Sequence, residues 1–98
     1  MAFDDRMIEA IWKKGALVTG NDPDVWRQDL CGAWMWRAQY GNRDSQYGWE
    51  VDHIIGIDYG GSDAFSNLRP LQWQNNAPRG PRRLKCSVTA KGKDNASA

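Results

Sequence analysis

Asp52 and His53 stand side by side at the end of an apolar, β-branched run, Trp49-Glu50-Val51-Asp52-His53-Ile54-Ile55, and His53 is the chain's only histidine. An imidazole titrates near neutral pH and can take a proton from water, while a carboxylate can hold a hard cation. Together they supply what metal-assisted attack of water on a phosphodiester requires. A Gly60-Gly61 loop follows, then Asn67 fourteen residues after His53 and Asn76 nine after Asn67. Asn75 competes with Asn76 as an oxygen ligand, since neighbours on a helix point about 100° apart and only one can face a given site.

The stretch VDHIIGIDYGGSDAFSNLRPLQWQNNAPRG, about 30 of the 98 residues, resembles the HNH nuclease family. Members share an Asp-His or His-His pair closing a first strand, a Gly-Gly loop, an Asn-Leu entry to a second strand and an Asn or His on the short helix that follows. The resemblance implies that His53 is the general base, that Asp52 and Asn76 are the metal ligands, and that Asn67 steadies the loop and orients the histidine. It further implies one divalent cation, hydrolysis of DNA phosphodiesters to 5′-phosphate and 3′-hydroxyl ends, and double-stranded DNA as substrate. Oxygen ligands suit Mg²⁺, with Mn²⁺ as the alternative, better than Zn²⁺. No structural zinc is expected, because Gln72 and Asn75 stand where zinc-binding members carry one of their cysteine pairs. The alternative from another class is a non-catalytic module that binds nucleic acid on the same scaffold.

The elements that must hold these groups can be read from pattern. Asp4 is placed to cap a helix over 5–14, where Met7, Ile8, Ile11 and Trp12 recur at helical spacing. Asn21-Asp22-Pro23 has the order of a short helix start, and the 31–40 stretch reads as a strand. Residues 49–55 form the clearest strand; a second runs over 68–71, with Pro70 tolerable at an edge, and a short helix over 72–77 follows. Because adjacent strand residues face opposite ways, Asp52 and His53 can serve one phosphate only if regular pairing stops near His53. Asp58 and Asp63 read as solvated loop carboxylates without a role. The expected fold is α+β, a small ββα-metal core with an N-terminal helix and further short strands. It is read as a single domain over 1–88 with its motif over 48–80, followed by a disordered 89–98 tail.

Composition constrains the rest. A chain of 98 residues builds one modest core, and six tryptophans with three tyrosines and two phenylalanines supply bulk that length does not. The net charge of +1 hides an asymmetry: residues 66–98 carry seven Lys or Arg against Asp94 alone. Arg79, Arg82 and Arg83 lie just past the motif, where a phosphate backbone would pass. Cys31 and Cys86, far apart and without a C-x-x-C pair, read as buried thiols. Neither a signal peptide nor a membrane span is evident, so a cytoplasmic protein is expected, as monomer or dimer.

Overall fold

A computed structural model describes residues 3–78 and 83–98. Helix α1 (Asp5–Trp12) is capped as the sequence predicts, with Asp4 Oδ1 accepting from the Met7 amide at 2.8 Å. It ends at Trp12, two residues short of expectation. Its Ile8, Ile11 and Trp12 side form the core with Met35, Trp49 and Leu68, the rings of Trp12 and Trp49 lying 5.2 Å apart. Lys14, beyond the helix, sends its ammonium to the carbonyls of Phe65 and Leu68, the latter at 2.6 Å, and lies over the Phe65 ring. Helix and long loop are thereby joined.

The turn at Pro23 closes only one round of chain, with Trp26 N bonded to Asp22 O at 2.9 Å, and then extends into strand β1 (Trp26–Gln28) instead of continuing as a helix. Arg27 accounts for this: its buried guanidinium donates to the carbonyls of Pro23, Lys13 and Gly15, a set of acceptors that fastens β1 beneath the end of α1. Antiparallel to it runs β2 (Trp34–Trp36), inside the stretch expected to be a strand.

Strand β3 (Trp49–His53) pairs antiparallel with β4 (Leu68–Gln72), and β4 passes directly into α2 (Trp73–Asn76). The ladder ends on the pair His53–Leu68, so regular pairing stops near His53 as expected, but Asp52 and His53 both lie inside it and alternate to opposite faces. Gln72, fully buried, caps α2 through its Oε1, which accepts from Gln74 N and Asn75 N.

Two expectations fail at the C-terminal end. Residues 89–98 are not disordered: β5 (Val88–Lys91) and β6 (Asp94–Ser97) form an antiparallel hairpin. Cys31 and Cys86 are not thiols but a disulfide, with Cα atoms 5.5 Å apart. The fold class stands as α+β, built among the described residues from two helices and three short antiparallel strand pairs. No helix is long and apolar enough to cross a membrane among those residues.

Candidate functional site

His53 ends β3, half-buried, with its ring centroid 6.3 Å from that of Phe3 and its Nε2 2.7 Å from Asp63 Oδ1. Asp63 therefore is not an idle loop carboxylate, as its sequence setting suggested; it holds the imidazole by one nitrogen. The loop that delivers it is shaped by Asn67. That side chain accepts from Ile55 N at 2.8 Å and donates to Ile55 O at 3.0 Å and Ser62 O at 2.8 Å, while its own carbonyl accepts from Ile54 N. One amide thus ties both ends of the 55–62 segment, imitating a strand pair where the ladder has ended. Gly61 completes the closure: a Cβ there would lie 1.7 Å from Ile55 O, so no other residue allows so close an approach.

Asp52 is buried, 4 % exposed, and faces its ladder partner Arg69, whose Nε donates to Oδ2 at 2.7 Å. Two positions earlier on the same strand, Glu50 accepts two hydrogen bonds from Arg43 and one from Asn76 Nδ2 at 2.8 Å. Alternation along β3 puts Glu50 and Asp52 on one face, so Asn76 from α2 and Arg69 from β4 meet the strand on that same side. Burial pushes the Glu50 carboxyl up, but the Arg43 and Asn76 hydrogen bonds and the Arg43 charge outweigh it and hold the group below its ordinary value. Glu50 and Arg69 went unread as site neighbours, although the two-residue period from Asp52 pointed to Glu50.

Asn75, the rival of Asn76, turns inward. Fully buried, it donates to Asp29 Oδ2 and Val88 O and accepts from the amides of Ser87 and Val88. Asp29 itself accepts from the amides of Cys31, Ala33 and Gln72, and burial raises its carboxyl above the ordinary value despite those bonds. Gln72 and Asn75 thus fix α2 and the approach to β5 by hydrogen bonding.

Arg83 is exposed and lines an open groove with Leu30, Ile54, Arg69 and Leu84; Arg79 and Arg82 lie outside the described residues. Two guanidinium groups therefore border the side of the sheet that carries Asp52. Among the described residues no three His, Cys, Asp or Glu side chains gather as a ready metal site. The donor chemistry of Asp52 and Asn76 nevertheless suits a hard divalent ion: with Asn76 Nδ2 spent on Glu50, its remaining ligand atom is Oδ1, and Asp52 adds carboxylate oxygen. No family model, curated protein or solved structure matches this chain.

Proposed function

We propose that the chain is a metal-dependent endonuclease of HNH type, with β3, β4 and α2 as a ββα-metal core acting on DNA phosphodiesters. The observation that supports this best is the His53–Asp63 pair, set at the end of β3 inside a loop that Asn67 ties shut, next in sequence to a buried carboxylate. With Nε2–H donated to Asp63, the neutral ring carries its lone pair on Nδ1, the nitrogen that takes a proton from the attacking water. The water oxygen bonds to phosphorus as the bond to the 3′-oxygen breaks, leaving 5′-phosphate and 3′-hydroxyl ends. Asp52 and Asn76 would hold the cation, which when bound neutralises charge on the phosphoryl and leaving oxygens. Arg69 and Arg83 attract the backbone phosphates to the adjoining groove.

A second reading has one observation of its own. Asp52 is already neutralised by Arg69, as it would be in a module that binds nucleic acid without cutting it.

Incubation of supercoiled plasmid with the protein, with Mg²⁺ or chelator, separates the two. Cleavage should require Mg²⁺ or Mn²⁺ and fall by at least about a hundred-fold in His53→Ala. In Asp63→Asn it should fall roughly ten- to hundred-fold, since the ring keeps its place but loses the carboxylate that sets its tautomer. Full cleavage by His53→Ala would remove the base. Salt-sensitive DNA binding with no cleavage under either metal would establish the binding module.

A further inference from the structure

On the opposite end of β3 from His53, aromatic rings form a pocket that neither the core nor the candidate site uses. Trp26 lies stacked on Trp36, centroids 5.6 Å apart at 25°, while Trp34 and Tyr47 stand nearly perpendicular to Trp26 at 81° and 86°. The cavity is lined by Trp26, Trp34, Tyr47, Asn21 and Lys93. Two of its walls are fixed from behind by the turn of the C-terminal hairpin: Trp34 Nε1 donates to Gly92 O and the Tyr47 hydroxyl to Lys93 O, each at 2.8 Å. Trp12, Trp49 and Trp73 also spend their indole N–H on backbone carbonyls. Trp26 does not among the described residues, and since no buried side-chain polar atom there lacks a partner, its N–H reaches solvent.

We infer that this pocket takes an unstacked nucleobase of a single-stranded nucleic acid, with its phosphate at Lys93. Flat π walls in a prearranged setting reward a planar aromatic guest, and the Asn21 amide and Trp26 N–H offer hydrogen bonds to a base edge. A methylated ammonium, the other usual guest of perpendicular aromatic rings, would meet the Lys93 charge and be repelled. Asp94, the nearest carboxylate in sequence, is engaged by Gln46 Nε2 at 2.9 Å and lies 3.5 Å from the Tyr47 hydroxyl. Bases in an intact duplex are stacked on both faces and cannot enter. Tyr47 lies in the turn just before β3 and His53 ends that strand, whose five residues rise about 17 Å. One strand can therefore occupy pocket and candidate active site together. The inference rests on nucleic acid being the ligand, as in the proposed function, but not on its being cut.

Fluorescence anisotropy of labelled oligothymidylate and of a labelled duplex, both in chelator so that nothing is cleaved, tests it. Trp26→Leu should weaken oligothymidylate binding about ten-fold or more and leave duplex binding unchanged. Lys93→Gln, at an exposed position, should weaken it less and make the salt dependence shallower by about one phosphate contact. Unchanged oligothymidylate affinity in both variants, or equal losses for single strand and duplex, would overturn the proposal. Cleavage of plasmid together with unchanged binding in these variants would sink the pocket and spare the nuclease; selective binding without cleavage would do the reverse.

Discussion

Glu50 and Asp52 are two carboxylates on one face of one strand, and their partners give them different duties. Arg69 covers Asp52 from the paired strand, whereas Glu50 receives an exposed Arg43 and the amide of Asn76 and so links the sheet to the motif helix. The Glu50 carboxyl sits below its ordinary value in the folded chain, so the unfolded chain binds the proton more readily. Its stabilising contribution is then present above the ordinary carboxylate range and is lost as pH falls through the folded value. Denaturant unfolding over a pH series should show Glu50→Gln less stable than the parent at neutral pH, with the gap narrowing in acid as the parent's carboxyl is protonated. Parallel curves for the two proteins would show that Glu50 carries no pH-linked stability. Asp29 works with the opposite sign: burial lifts its carboxyl, so ionising it opposes stability as pH rises, and hydrogen bonds from Asn75, Gln72, Ala33 and Cys31 offset that cost.

At the scale of elements, the loop between β3 and β4 is where sequence and geometry meet most closely. Asn67 bonds both ends of the 55–62 segment, Lys14 holds the Phe65 and Leu68 carbonyls, and Gly61 admits the Ile55 carbonyl against its own backbone. Gly61→Ala would force these apart, at roughly 1–3 kcal/mol if the backbone shifts to relieve the clash. Amide exchange at Ile55 should quicken and any cleavage activity should fall, while the core around Trp12 and Trp49 keeps its protection. Unaltered exchange at Ile55 would mean the loop is not held this way. The strands, the short helix and the Asn67 lock were legible because each is encoded locally: a β-branched run, a Pro at a sheet edge, an amide at a loop end. Asp63 was not, since nothing in a loop carboxylate's neighbours tells which way it turns. Nor was β1, which depends on Arg27 finding carbonyls more than ten residues away in sequence. The C-terminal hairpin was missed for the same reason. Its own composition is polar and weakly patterned, and its order comes from outside, through Asn95 bonding Trp34 and Gln46, Thr89 bonding Cys31, and the Trp34 and Tyr47 bonds to its turn.

At the scale of the molecule, the described residues form three two-stranded ribbons, none able to stand alone in water, gathered with α1 into a body of 12.6 Å radius of gyration. The core under α1 secures β3 and β4. What secures the other ribbons is a set of cross-links from distant sequence: the Asp29–Asn75 hub, the Ala90–Gly32 backbone bond and the Cys31–Cys86 disulfide all join the β1–β2 region to the chain around β5. A bridge across 55 residues removes unfolded-state freedom amounting to about 4 kcal/mol in the loop-entropy account. For a domain of this size such a loss lowers Tm by roughly 15 °C or more. Because the hub and the hairpin bonds share these elements, the loss should appear as one cooperative transition moved down in temperature and not as a separate melting of the C-terminal part. Thermal unfolding with and without reductant, and of the Cys31→Ser/Cys86→Ser double variant, measures this; equal midpoints in all three samples would show that the hydrogen-bonded hub holds the ribbons without the covalent link.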